Sequence, residues 1–352
     1  MRKYKQITVK GKSLFIGIDV HQVHWHVTIR TEDVGLFNGS IPGTWEALRK
    51  LLDRYPGTLM QAVYEAGFSG FWLHDLLTEC GVNCVVTPPS LLPIQYGNKV
   101  KTDRRDSEKL AYLLAKGMLK RVWVPSPEER FHRQVIRRRR QLIGDRVRTQ
   151  NRIKSELFFY GIQMPPTNHR WSAAYVVNLH RLQFNNHWMQ ESFRRLLEEY
   201  DFLSDQILKQ TKVLQELAET PLYKERVKIL QTAPGIGLIA AMELLLELQD
   251  MERFRRADQL AAYVGLTPSQ YSSADRVRMG RITAIGKNNL RGILVEVAWR
   301  VIVKDRVMRR KYERIKVRAG AKRAIVAIAR ITLLKTRRML LDNTPYVTRR
   351  AA

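Results

Sequence analysis

The chain has 352 residues, 45% of them hydrophobic and 27% charged, which fits a globular protein of two or three domains. With 61 Lys and Arg against 33 Asp and Glu, a formal net charge of +28 draws it toward polyanions, nucleic acid above all, although ribosomal and membrane-surface proteins are basic too. No apolar run is long enough to span a membrane: Glu243 and Glu247 interrupt even Leu238–Leu248.

In chain order, Ser13–Val20 and His24–Arg30 read as β-strands, the second with strict alternation, and Gly35–Ile41 as a shorter third. Thr44 caps an amphipathic helix carrying Trp45, Leu48, Leu51 and Leu52. Leu59–Tyr64 returns to strand, Gly70–Cys80 to helix, and Asn83–Thr87 to a strand stopped by Pro88 and Pro89. Asp103–Lys116 closes the series as a helix with Leu110, Leu113 and Leu114 on its apolar side. This order predicts an α/β layered domain with a mixed sheet. Cys80 and Cys84 have no second pair, so they form neither a zinc site nor a disulfide framework and read as reduced packing residues of a cytoplasmic protein. The basic N-terminus has no signal-like apolar core behind it, because Lys10 and Lys12 interrupt.

After a linker at Trp123–Pro127, Glu128–Phe159 has helical periodicity and a dense basic face: Arg130, Arg133, Arg137, Arg138, Arg139, Arg140, Arg146, Arg148, Arg152 and Lys154. A solvated face is the usual reading of a charge run, but so many cations with few acids repel one another without a polyanion, which favours RNA or DNA contact. Pro165-Pro166 breaks the pattern, and Trp188–Leu217 resumes it, so the two segments predict an antiparallel helical hairpin or coiled coil. Further on, Leu230–Gly237 precedes a helix at Leu238–Leu248. Its turn at Gly235 and Gly237 resembles a helix–hairpin–helix DNA-backbone binder, with an ordinary Gly-rich turn as the alternative. Ala257–Val264 is helical, Ser269–Asn289 is polar and basic, and Leu290–Val303 and Ala321–Leu340 are long helices.

Two constellations carry chemistry. Asp19 ends the first strand, Glu65 follows the fourth, and Asp103 and Asp106 open the last helix of the α/β region. Singly, each reads as a cap or turn residue. Together they have the layout of the RNase H-like nucleases, whose crowded carboxylates hold divalent ions. The second constellation sets the hydroxyls of Tyr271, Ser272 and Ser273 beside Arg276, Arg278, Arg281 and Lys287. It fits a nucleophile with phosphate-neutralising cations, or a flexible basic loop.

Gly17-Ile-Asp-Val20, Glu65-Ala66, Lys101-Thr-Asp-Arg-Arg-Asp106, Pro234-Gly-Ile-Gly237 and Gly265-Leu-Thr-Pro268, followed by Tyr271 and Ser273, occur in one order. Through them the chain resembles, along nearly its whole length, the DEDD transposases of bacterial insertion sequences, recombinases directed by a structured bridge RNA. The resemblance implies a RuvC-like (RNase H-like) α/β domain over 13–124, a coiled-coil helical region over 125–220 and a mostly α-helical C-terminal transposase domain over 221–352. It implies Mg²⁺ held by Asp19, Glu65, Asp103 and Asp106, and a nucleophilic serine at Ser273, counted from Gly-Leu-Thr-Pro through the tyrosine. It also implies target and donor DNA and a bridge RNA as partners, a homo-oligomer (dimer or tetramer) with a composite site, and a bacterial cytoplasmic, nucleoid-associated setting. Two departures stand out: Ala274-Asp275 where the family often has glycine after its serine, and Ser107 where a small apolar residue is common. A Holliday-junction-type hydrolytic nuclease would use the four acids and water alone, and a basic RNA-binding scaffold would cut nothing. A covalent protein–DNA adduct separates the three.

Overall fold

Leu14, Ile16 and Ile18 alternate along the first strand with no exposed surface, so one face of that strand is committed to a core. The computed structural model describes residues 10–93, 102–163, 171–273, 276–283 and 285–348, and the chain divides into two units, Met1–Pro125 and Ser126–Ala352.

In the first unit, β1 (Ser13–Val20), β2 (His24–Arg30) and β3 (Gly35–Pro42) form an antiparallel meander. Helix α1 (Trp45–Leu52), capped by Thr44 as expected, leads to β4 (Leu59–Glu65). Then follow α2 (Trp72–Glu79), β5 (Asn83–Thr87) and α3 (Asp103–Ala115). β4 and β5 join in parallel on the other side of β1, giving a five-stranded mixed sheet of order β3-β2-β1-β4-β5. This is the mixed α/β arrangement that the sequence predicts for an RNase H-like domain. One face of the sheet packs Leu48, Leu51, Leu73 and Leu77 of α1 and α2 against Ile16, Ile18 and Val27. On the other, Val63 and Val85 meet Leu110 and Leu114 of α3.

Gly17 sets how closely α3 approaches. A Cβ at that position would lie 2.1 Å from the carbonyl oxygen of Ser107 and 2.5 Å from the nitrogen of Ala111. Backbone therefore rests on backbone. Ser107, a departure from the family pattern, is fully buried there and shares a 2.9 Å hydrogen bond with Thr28 of β2. Its hydroxyl ties the helix to the sheet, and the contact holds the N-terminus of α3 over the end of β1.

The second unit begins with α4 (Pro127–Phe159), so the expected linker ends in that helix's first turn. Ser126 and Glu129 form a capping box around Pro127. After α5 (Ala173–His180), which the periodicity did not predict, α6 (His187–Ala218) runs back along α4. Ile153 and Leu157 of α4 pack with Phe193 and Leu197 near the start of α6, whereas Ile136 shares a cluster with Leu214 and Ala218 at its end. The two helices are therefore antiparallel. Pro165 and Pro166, the predicted break, lie outside the described residues.

The remaining helices are α7 (Lys224–Gln231), α8 (Leu238–Leu248), α9 (Ala257–Val264), α10 (Asn288–Lys304), α11 (Arg306–Ala319) and α12 (Ala321–Leu341). They enclose one large core that also takes in Ile136, Leu214 and Ala218. Where the sequence suggested a boundary near residue 220, the base of the helical pair is built into the C-terminal core. Ser269–Asn289 is not all loop: β6 (Pro268–Ser273) and β7 (Arg276–Ile282) pair antiparallel as a hairpin. Ser269 donates to the carbonyl of Arg281, in space that Gly280 leaves open by lacking a Cβ. Among the described residues no helix is long and apolar enough to cross a membrane.

Candidate active site and nucleic-acid interface

Asp19 is the next-to-last residue of β1, its side chain 19% exposed. Asp103 and Asp106 stand in the first turn of α3, which the Gly17 contact holds against the same strand. Thr102, not Asp103, caps this helix by accepting from the backbone N–H of Arg105. A capping role therefore does not explain Asp103. Nor does Glu65 cap a helix, since it ends β4 and α2 starts only at Trp72. In the parallel β1–β4 pair Ile18 sits opposite Tyr64, so Asp19 and Glu65 each follow by one residue on adjacent strands. The four residues thus lie toward one end of the sheet, and the carboxylates of Asp19 and Asp103 come close together there.

The ring of His21, in the turn after β1, lies between two of them. Its Nε2 is 3.2 Å from Oδ2 of Asp19 and 3.6 Å from Oδ2 of Asp103, and one donor atom from each of the three residues lies within 4.8 Å of the others. Burial pushes the Asp19 carboxyl above its ordinary value; His21 opposes this, and the charges of Asp103 and Asp106 add to it. Carboxylates so placed are stabilised by a cation, and a set of oxygen donors suits a hard divalent ion. The sequence reading missed His21. The signal was available as an imidazole two residues past an acid at a strand end.

The hairpin of β6 and β7 carries the second constellation. Ser273 is the last residue of β6 and pairs in register with Arg276, while Tyr271 pairs with Arg278. Tyr271 is 75% exposed, and Arg278 and Arg281 face solvent. Ala274 and Asp275, and the side chains of Ser272, Ser273 and Arg276, lie outside the described residues.

The arginine run of α4 divides into two sets. Arg137 binds Oε1 and Oε2 of Glu247 at 3.1 and 3.2 Å, and Arg140 binds Glu243 at 2.6 Å and Glu247 at 3.2 Å. Both acids are buried on α8. Arg133 donates to the carbonyl of Leu246, Arg139 to Thr211, and Lys287 lies 3.4 Å from Glu247. Burial raises the Glu243 carboxyl, and Arg140 offsets this only in part. Burial would raise Glu247 too, but hydrogen-bonded Arg137 and the charges of Lys287 and Arg133 hold it down, to about 2. Arg137, Arg140 and Lys287, expected to meet nucleic acid, are therefore internal ion-pair partners as well. Arg138 is exposed, as are Arg148 and Arg152, whose surface pairs with Asp145 and Glu199 hold them weakly. With Arg137, Arg140, Gln141, Gly144 and Asp145, Arg138 and Arg148 line an open groove.

The Pro234–Gly237 turn has a packing reason of its own. Gly235 has φ +86°, and a Cβ there would meet Cβ of Arg300 at 2.5 Å. Gly237 precedes α8 with no side chain capping the helix.

Residues 16–161 match the DEDD domain model of the IS110 transposases, described as Transposase, and residues 227–313 match the Transposase IS116/IS110/IS902 family. The chain is 29% identical over 344 residues to the protein y4qE of Sinorhizobium fredii, covering 94% of this chain and 82% of that one. To the transposase for insertion sequence element IS1533 of Leptospira borgpetersenii it is 29% identical over 252 residues, 68% of this chain and 71% of the relative. To the transposase for insertion sequence element IS1111A of Coxiella burnetii it is 24% identical over 253 residues, 70% and 67% of the two chains.

Proposed function

We propose that this chain, which matches IS110 and IS116/IS110/IS902 transposase models over residues 16–161 and 227–313, acts as an insertion-sequence transposase that cuts and rejoins donor and target DNA through a covalent link at Ser273, at sites chosen by a structured guide RNA. The observation that carries the metal-dependent half of this reading is the meeting of Asp19, Asp103 and His21 at one end of the sheet. Asp19, Glu65, Asp103 and Asp106 would hold Mg²⁺, which supplies Lewis-acid stabilisation of the attacking and leaving oxygens. The Oγ of Ser273 attacks phosphorus as one P–O ester bond breaks; the serine proton passes to the leaving oxygen. Rejoining reverses the exchange at a new end. Phosphodiester energy is kept in the Oγ–P bond, so no nucleotide is consumed. Arg276, Arg278 and Arg281 neutralise the phosphate under attack.

The groove of Arg138 and Arg148, with Arg146 and Arg152 on the same helix, takes phosphates of the RNA or DNA, and the backbone N–H groups of the uncapped first turn of α8, after Gly237, offer a further phosphate contact. The reaction belongs to a homo-oligomer. The test is to incubate the full chain with guide RNA, donor and target DNA and Mg²⁺, then look for a denaturation-resistant protein–DNA adduct. Adduct formation should vanish in Ser273→Ala and in Asp19→Asn and persist at least in part in Tyr271→Phe. Free DNA ends without adduct would make the enzyme a hydrolytic nuclease. A nucleotide mapped to Tyr271 would overturn the serine assignment.

A further inference from the structure

The imidazole of His21 stands where an ion between Asp19 and Asp103 would find a third donor. Ions of this class bind oxygen and nitrogen at about 2.1 Å, which puts neighbouring donors about 3 Å apart and opposite ones about 4.2 Å apart. The observed 3.2 and 3.6 Å from Nε2 to the two carboxylate oxygens, with all three donors within 4.8 Å, match that geometry. The turn that carries the ring is also held in place by construction. The backbone carbonyl of His21 accepts the indole N–H of Trp25 at 3.0 Å, and Trp25 is buried in the sheet core. Gly43 donates to the carbonyl of Val23 in the same turn. His26, paired with Asp19 across β1 and β2, has its own Nε2 committed to Asn38 at 2.9 Å.

We propose that His21 is a nitrogen ligand of this site, held together with Asp19 and Asp103, so that the site binds Mn²⁺ and other first-row transition-metal ions in clear preference to Mg²⁺. This rests on the metal-site reading above and adds to it a donor that is not one of the four acids. Mg²⁺ favours oxygen and keeps its waters, whereas imidazole suits transition metals. A nitrogen donor therefore changes which ion the site selects, even if the acids alone suffice to hold one. With an ion bound, Nε2 presents its lone pair and the ring proton sits on Nδ1.

The test uses the full chain and the metal alone. Mn²⁺ and Mg²⁺ affinities are measured by calorimetry for the native protein, His21→Ala and Asp19→Asn, and pulsed electron paramagnetic resonance reads nitrogen coupling to bound Mn²⁺. His21 is 51% exposed, and its hydrogen bond to Trp25 comes from the backbone, so the alanine variant keeps the turn. The expected result is nitrogen coupling in the native protein that disappears in His21→Ala. The Mn²⁺ to Mg²⁺ affinity ratio should fall by about tenfold, the scale on which loss of even an outer partner acts at metal sites. Nitrogen coupling that persists in His21→Ala, or an unchanged ratio, overturns the proposal. If Asp19→Asn abolishes binding in that case, the carboxylate site stands without His21. If Asp19→Asn binds both ions as the native protein does, the carboxylate site itself is wrong.

Discussion

Replacing Glu247 by glutamine should destabilise the helical unit by about 3 kcal/mol at neutral pH. Its carboxylate is 1% exposed and receives Arg137, Arg140 and Lys287, which are positioned by α4 and by the start of α10. Depression of its carboxyl from the ordinary 4.5 to about 2 corresponds to stabilisation of that size. Because the folded value lies below the unfolded one, this contribution is complete above about pH 4.5 and is lost as pH falls toward 2. Glu243, raised by burial and sharing Arg140, takes the first proton on acidification. The assay is urea unfolding followed by helical circular dichroism, for the native protein and Glu247→Gln, at neutral pH and in steps down to pH 3. The native protein should lose stability through the acid range more steeply than the variant. A variant within about 0.5 kcal/mol of the native protein at neutral pH, the ordinary range of a surface substitution, would refute the account. Arg137 and Arg140 would then be free for nucleic acid, as the sequence first suggested.

Charge reversal at Arg138 and Arg148, which are not partners of the buried acids, should leave unfolding unchanged but weaken RNA binding. It should also flatten the slope of log affinity against log salt by about 0.7–0.9 per lost phosphate contact, read by filter binding across a salt series; an unchanged slope removes the groove from the interface. Gly17→Ala forces α3 off the sheet, because its Cβ would overlap backbone atoms of Ser107 and Ala111. It should cost about 3 kcal/mol or more and, by displacing Asp103 and Asp106, lower metal affinity in whatever protein remains folded; native-like metal titration would contradict the close packing. At neutral pH iodoacetamide should label exposed Cys80 and spare Cys84, whose thiol burial pushes up to about 12. Equal labelling in mass spectrometry would count against that burial.

Local pattern alone determined the strands and helices of the first unit, because burial on a sheet or helix face leaves a short-range period in the chain. It also located Asp19, Glu65, Asp103 and Asp106, since an acid at the end of an apolar strand or in a helix's first turn stands out within a few residues. The hairpin that carries Ser273 was legible in principle: Arg276-Val-Arg-Met279 alternates as a strand does, but its charge made it look like loop. Helix α11 was hidden in the same way, its apolar positions few among Arg309, Arg310, Lys311 and Arg314. Tertiary structure decided what depends on partners far apart in the chain. Arg137 and Arg140 find Glu247 and Glu243 more than a hundred residues away, so a run that reads as a polyanion-binding face is half internal. Gly17 could be known as the seat of α3 only once Ser107 and Ala111 lay against it, and His21 joined the acids only when that contact brought Asp103 to the end of β1. Periodicity reports which face of an element is buried; which charge or backbone it meets there is set by packing between elements.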